Sequence, residues 1–231
     1  MKILAFDSTA ITASAAIAED EKLLAEITLN NGNTHSQTLL PMAEALFKML
    51  SITADDIDIF ACSEGPGSFT GVRIGAATVK GMAFGRGKAC VGVSTLEALA
   101  YNLRGYEGII CPVMNARRQQ VYTAIFESDG KSITRISEDE AIAAAELDGK
   151  LAAYGKRVYL CGDGIDVALS EFKKTEVEYT PEEQRCQSAY SVSRVALEKY
   201  RDGKYVSDAE LTATYLRLSQ AERERLEKEK A

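Results

Sequence analysis

Gly65-Pro66-Gly67-Ser68-Phe69-Thr70-Gly71-Val72-Arg73-Ile74-Gly75 is the run on which the fold of this chain turns. It lies between an apolar segment, Ile57 to Cys62, that reads as a strand and a helical pattern from about Thr70 to Gly85. A strand, a glycine-rich turn and a helix in that order can hold an anion, because glycines admit close backbone approach and a helix N-terminus presents unbonded amides. Thr70 is placed to cap that helix. A purely structural tight turn would use the same glycines, and spacing does not separate the two readings. A P-loop is excluded, since no Gly-Lys-Ser/Thr closes the run.

Upstream, three short extended segments, Lys2 to Asp7, Ala13 to Ala18 and Leu23 to Leu29, read as an antiparallel meander. A helix follows with Ser36 as its cap, Pro41 in its first turns and an apolar stripe of Leu39, Leu40, Ala43, Leu46, Phe47 and Leu50. Downstream come a strand at Ala89 to Val93 and a helix after the cap Ser94, so the first half reads βββαβαβα. A second unit starts near Gly105, with strands at Ile109 to Asn115, Gln119 to Glu127 and Ile133 to Ile136. A helical stretch from Glu138, a strand at Arg157 to Cys161, the turn Gly162-Asp163-Gly164 and a helix from Ser188 to Tyr200 complete it. The second half thus repeats the first more loosely, without a matching glycine loop, and suggests two similar α/β subdomains.

Composition narrows the function. The chain has 231 residues, and 27 Lys plus Arg against 34 Asp plus Glu give a net charge of −7. Holding nucleic acid by overall charge is therefore excluded, and any RNA contact needs a local patch or a partner. With His35 as the single histidine, neither a histidine dyad nor a zinc site on paired histidines can form within the chain. The 5 cysteines are widely spaced with no CxxC, and read as free thiols of a reducing cytoplasm. Lys2-Ile3-Leu4-Ala5-Phe6-Asp7 carries no targeting signal, and no apolar run approaches the ~20 residues of a membrane helix.

Other residues could carry chemistry. Asp7-Ser8-Thr9 at the first hairpin tip could orient a metal-bound phosphate, but a plain turn uses the same residues and no glycine admits a phosphate here. His35 and Ser36 are adjacent in sequence and do not converge as base and nucleophile, so His35 reads as a cap or turn residue. The first helix also carries Met42 and Met49 outside its core stripe, and the second carries Gly75, Ala76, Ala77, Gly81 and Ala83, which permit close packing. Together these helices look like an interface. Asn115-Ala116-Arg117-Arg118-Gln119 is a basic turn that could meet a phosphate or an acidic partner, or simply be solvated. The alternating charges of residues 219–231 fit a solvated helix or tail.

These motifs together resemble the TsaB (YeaZ) family of threonylcarbamoyladenosine synthesis. The resemblance rests on Ile3-Leu4-Ala5-Phe6-Asp7-Ser8-Thr9, His35-Ser36-Gln37-Thr38-Leu39-Leu40-Pro41, the Gly65 to Gly75 loop and Gly92-Val93-Ser94-Thr95-Leu96-Glu97-Ala98-Leu99-Ala100. Ala116-Arg117-Arg118, Tyr215-Leu216-Arg217 and Ala221-Glu222-Arg223 extend it to the tail. Phe6 stands where the family usually has Ile, and Asn115 where it has Asp.

The resemblance implies an α/β, actin-like ATPase (ASKHA) fold of two ribonuclease-H-like lobes with mixed sheets, the second reduced. The lobes would span 1–104 and 105–218, with a charged tail at 219–231. It further implies a place in the complex that modifies the adenosine next to the tRNA anticodon. TsaD would be the direct partner, with TsaE reached through the complex, self-association as a homodimer when alone, indirect contact with tRNA and no membrane. TsaD-type relatives hold a metal on an H-x-E-x-H helix, and the corresponding ligand positions here are Thr95 and Leu99, which cannot replace imidazole. No catalytic residue or metal ligand is therefore expected, and a glycoprotease reading fails. Asp7, Gly65, Gly67, Ser68 and Thr70 would outline a degenerate phosphate site. The chain would need no cofactor of its own, with ATP or ADP compatible with the complex interface. The expected role is a non-catalytic scaffold docking through His35, Leu39, Met42, Ala43, Leu46 and Met49 of one helix and Arg73, Ala76, Ala77 and Lys80 of the next. The competing class is a nucleotide-dependent phosphotransferase built on Asp7 and the glycine loop.

Overall fold

A computed structural model describes residues 1–217; the charged tail read at 219–231 lies outside the described residues. The first sheet has the order β3-β2-β1-β4-β5, from β1 (Lys2–Asp7), β2 (Ala13–Glu19), β3 (Lys22–Leu29), β4 (Ile59–Gly65) and β5 (Ala89–Ser94). β1, β4 and β5 run parallel, while β2 is antiparallel to β1 and β3. Because side chains alternate across a strand, Leu4, Phe6, Phe60 and Cys62 face one core and Ile3, Ala5, Ile59 and Ala61 face the other. Both faces are therefore covered, which is why these strands read as unbroken apolar runs.

Helices α1 (His35–Leu50) and α2 (Phe69–Ala83) cover the first face, and Leu39, Met42, Ala43, Leu46, Ala76 and Val79 enter the core there. The caps differ from the expectation. Thr34, not Ser36, precedes α1, and it makes no side-chain cap bond, while Ser68, not Thr70, caps α2 by accepting from the Gly71 amide. Placing Ser68 outside the helix leaves Thr70 in its first turn, exposed.

The second sheet comprises β6 (Glu107–Asn115), β7 (Gln120–Thr123), β8 (Phe126–Asp129), β9 (Ile133–Arg135), β10 (Glu140–Ala143), β11 (Val158–Cys161) and β12 (Val177–Tyr179). β7 and β8 lie along one edge of β6 in a single register, Val113 opposite Thr123 and Ile110 opposite Phe126. They part opposite Cys111-Pro112, where proline has no N–H to donate, and the Ile125 amide turns to Ser137 Oγ instead. The expected strand from Gln119 to Glu127 is thus two strands in line. β10 and β9 flank them on the outside, β11 and β12 run parallel on the other side of β6, and the sheet repeats the first sheet position for position.

This is the two-lobe, actin-like α/β architecture that the resemblance implied, but the second lobe is not reduced. The pattern reading missed the short strands β10 and β12 and the helix α5 (Ile165–Glu171), and began α4 (Ala144–Ala152) too early. Two helices also tie the lobes together. α6 (Ala189–Arg201), assigned to the second unit, packs Ala189, Val192, Val195 and Leu197 against the first sheet. α3 (Thr95–Tyr101), assigned to the first, lies between the sheets: Ala98 and Tyr101 join the first lobe's core, while Leu96, Leu99 and Ala100 pack against Ile110, Met114 and Phe126 of the second. The chain returns to its first lobe after α6, where Val206 bridges to Cys90 of β5, so a boundary at residue 104 does not divide the packing. Among the described residues no helix is long and apolar enough to cross a membrane.

Candidate functional site

Asp7, at the end of β1, is fully buried. Its Oδ1 accepts from the Thr9 amide (2.9 Å) and the Thr9 hydroxyl (2.7 Å), and its Oδ2 accepts from the Ser63 hydroxyl (2.5 Å). Burial pushes its carboxyl above the ordinary range, against the lowering pull of those donors. A carboxylate whose two oxygens are engaged within the chain is a lock for the hairpin tip, as the plain-turn reading holds.

The glycine loop closes on that tip. After the cis Gly65–Pro66 peptide, the Ser68 amide donates to Thr9 O (2.7 Å) and Ser8 Oγ donates to Gly71 O (2.9 Å). A Cβ on Gly67 would stand 2.5 Å from Thr9 O, and one on Gly71 only 1.9 Å from Ser8 O. The glycines are thus required by backbone of the same chain. The amides of Ser68 and Gly71, which would serve an anion, are already bonded within the loop.

From the other side, residues 209–217 lie over the loop as a strap. The Thr214 amide donates to Glu64 O (2.7 Å), and a Cβ on Gly65 would meet Thr214 O at 2.3 Å. Lys80 Nζ donates to Ala209 O and Leu211 O, both at 3.0 Å. Arg73 donates to the Tyr215 hydroxyl (2.8 Å) and lies 3.9 Å above the Phe69 ring, which packs on Tyr215. Arg73 and Lys80, expected to meet a partner, therefore hold this chain's own strap. The expected interface shifts in the same way on α1. Leu39, Met42, Ala43 and Leu46, with Ala76 of α2, are buried in the core, whereas Met49 is 70% exposed and Leu40, outside the expected set, 55%. Ala77 and Gly81 are exposed on α2, and Phe84 just beyond it is 76% exposed. Leu40 was absorbed into the apolar stripe by its spacing, and Phe84 stands at a helix end where spacing assigns no face.

His35 contacts Ala10 O through Nε2 at 2.7 Å, tying α1 to the hairpin tip, and its Nδ1 is buried without a partner. Thr95 and Leu99 are both buried, the Leu99 side chain in the second lobe's core. Among the described residues no three His, Cys, Asp or Glu side chains gather as a metal-holding group.

The second lobe has its own loop at the equivalent place. Gly162-Asp163-Gly164 follows β11 as the glycine loop follows β4, and the Gly164 amide donates to Val113 O (3.0 Å). This turn borders a cavity of about 240 Å³ with Ala10, Thr12, Asp166, Arg185 and Gln187. Desolvation pushes its Asp163 carboxyl above the ordinary range. A larger cavity, about 880 Å³, lies at the outer edge of the second lobe between Tyr106, Asp129 and Arg157, away from both loops. The basic turn keeps Arg117, Arg118 and Gln119 at positive φ (63°, 55° and 56°) and exposed.

Residues 22–216 match the family model described as TsaD: tRNA N6-adenosine threonylcarbamoyltransferase. The tRNA threonylcarbamoyladenosine biosynthesis protein TsaB of Bacillus subtilis (strain 168) is 32% identical over 146 residues, 63% of this chain and 64% of that protein. TsaB of Escherichia coli (strain K12) is 28% identical over 220 residues, 94% of this chain and 95% of that one. Among solved structures, YeaZ from Pseudomonas aeruginosa superimposes with a TM-score of 0.80 at 23% identity, over 93% of this chain and 99% of that chain. At that identity the likeness speaks for the fold.

Proposed function

This chain belongs to the family described as TsaD, tRNA N6-adenosine threonylcarbamoyltransferase, with TsaB proteins among its relatives, and we propose that it is the TsaB-type, non-catalytic partner within that chemistry. Its role is to hold a catalytic TsaD-type subunit, and TsaE through that subunit, in a cytoplasmic complex that makes threonylcarbamoyladenosine in tRNA. The observation that carries this reading is the closed glycine loop. Ser8 and Thr9 fill it from below, and the strap residue Thr214 covers it from above. An actin-like phosphotransferase needs such a loop open to nucleotide phosphates. Thr95 and Leu99 support the same reading, since neither offers a competent metal ligand.

The docking surface centres on the outer face of α2, carried by Ala77, Gly81 and Phe84, flanked by the exposed apolar residues of α1, Met49 and, on the opposite side of that helix, Leu40. Exposed apolar side chains beside small residues suit close helix-to-helix approach by a TsaD-type subunit, or by a second copy of this chain when the subunit is absent. Met49→Glu and Leu40→Glu should abolish co-elution with a TsaD-type subunit and lower tRNA modification in the reconstituted mixture, leaving the fold intact. Undiminished modification by the double variant would remove α1 from the interface. Titration calorimetry with ATP and magnesium on the isolated chain tests the carrying observation. Tight binding with turnover, lost in Asp7→Ala, would replace the scaffold by the phosphotransferase.

A further inference from the structure

The turn Asn115–Gln119 plays no part in the scaffold role. Three successive non-glycine residues, Arg117, Arg118 and Gln119, hold the left-handed conformation, which L-residues other than Asn and Asp rarely take even singly. The surroundings fix this shape from several sides. Asn115 Oδ1 accepts from the Arg117 amide (2.8 Å), the Gln120 amide donates to Arg117 O (3.2 Å), and the Ala144 amide donates to Gln119 O (3.2 Å). Arg217, about a hundred residues downstream, donates from Nη1 to Ala116 O at 2.8 Å and brings a third guanidinium to the same tip. Strain that the surroundings over-determine points to function. Here it turns two adjacent arginines outward from a molecule whose net charge is −7.

We propose that Arg117 and Arg118, with Arg217 behind them, form a contact site for the phosphate backbone of RNA. Guanidinium forks match phosphate oxygens, and three at one tip supply the local patch that an acidic chain needs for such a partner. Neither cavity described above includes Arg117 or Arg118, which are exposed at the tip. Three guanidinium groups at one tip suit a ligand with successive phosphates. Asp163, whose carboxylate accepts from the Asn115 amide (3.2 Å) at the base of the turn, is exposed and offsets one of the three positive charges, leaving the tip net basic. The site goes beyond the scaffold reading and makes RNA contact direct where the sequence implied an indirect one.

The test is fluorescence anisotropy of a labelled anticodon stem-loop RNA titrated with the isolated full chain at several salt concentrations. No TsaD-type subunit is present, so failure of the docking reading cannot mimic failure of this one. With two to three phosphates engaged, the log–log salt slope should be about −2. Arg118→Ala should weaken binding roughly three- to tenfold and reduce the slope by about 1, while Arg118→Lys retains most of the slope. Lys22→Ala, an exposed cation in the first lobe, should change neither. Circular dichroism confirms folding of each variant, since Arg118 is exposed. Absence of RNA binding at low salt, or an unchanged slope in Arg118→Ala, overturns the site.

Discussion

The two lobes use one device at the same topological place and finish it in opposite ways. After β4 and after β11, a glycine turn lies against the hairpin that leaves the neighbouring parallel strand. Gly67 and Gly71 rest on Thr9 and Ser8; Gly162 and Gly164 rest on Val113 and Met114. One amide of each turn donates to that hairpin, Ser68 N to Thr9 O and Gly164 N to Val113 O. In the first lobe the hairpin tip turns its acid and hydroxyls inward, and the strap covers the glycine loop behind it. In the second the tip turns two arginines outward on a left-handed backbone. A duplicated fold has kept the packing of turn on hairpin and assigned the polar chemistry of one copy to stability and of the other to the surface.

The comparison breaks most severely at the glycines. Gly71→Ala puts a Cβ 1.9 Å from a backbone oxygen, Ser8 O, which no side-chain rotation relieves. Urea unfolding should show a loss of about 4 kcal/mol or more, or no folded protein. Gly164→Ala has its nearest neighbour at 2.8 Å, and should cost about 2 kcal/mol. Equal losses would mean that Gly71 is no tighter against its hairpin than Gly164 is.

Asp7 comes next. Asp7→Ala leaves the Thr9 amide and the hydroxyls of Thr9 and Ser63 without an acceptor in a fully buried site, a cost of about 3 kcal/mol. Asp7→Asn keeps the shape and one acceptor, and should cost about 1 kcal/mol. Its pH signature has a definite sign. Burial raises the folded-state pKa above the unfolded value of about 3.9, so the native state holds the proton more tightly. The stability Asp7 contributes is full below about pH 3.9 and declines as pH rises through the raised folded value. Asp148 runs the opposite way. Burial opposes its charge, but the amides of Lys173, Lys174 and Thr175 outweigh that and hold its carboxyl below the ordinary range. Stability from Asp148 is therefore lost as pH falls through its folded pKa. Subtracting the Asp7→Asn curve from wild type isolates the first effect, and a flat difference would show that Asp7 titrates normally.

How much of this was legible follows from where the decisive contacts lie. The strands of the first lobe were readable because burial on both faces makes continuous apolar runs such as Ile3-Leu4-Ala5-Phe6. The glycine loop was visible as a motif, but its closure depends on Ser8, Thr9 and Thr214, distant in sequence and silent in any local pattern. Met42 was read as lying outside the core stripe, and Leu46 as both stripe and docking residue, because helical spacing cannot say how wide a stripe the sheet will cover; α1 packs on β2 and β3 and buries both. The placing of α6 on the first sheet and of α3 between the two is likewise a tertiary fact. Each helix carries an ordinary apolar face, and nothing local names the sheet it will meet. The left-handed run at Arg117 to Gln119 was invisible for a sharper reason, since none of the three is a residue type that prefers that conformation.

That last point supplies the smallest effect and the finest test of the comparison. Gln119→Gly removes no charge and leaves φ near +56°, a conformation glycine takes freely. Relief of the left-handed penalty, offset by the entropy of an added glycine, should raise stability by about 0.5 kcal/mol and leave RNA binding unchanged. In the first lobe's tip the same change should do the reverse. Ile11 is exposed and not left-handed, so Ile11→Gly pays only the entropy and should lower stability by about 0.5–1 kcal/mol. Arg118→Gly joins the two arguments, because it should gain stability as Gln119→Gly does while losing RNA affinity as Arg118→Ala does. A residue whose replacement improves the fold and impairs binding is held there for the binding. If Arg118→Gly instead destabilises the chain while Gln119→Gly stabilises it, the Arg118 side chain supports the lobe, and the contrast between an inward and an outward tip fails at that residue.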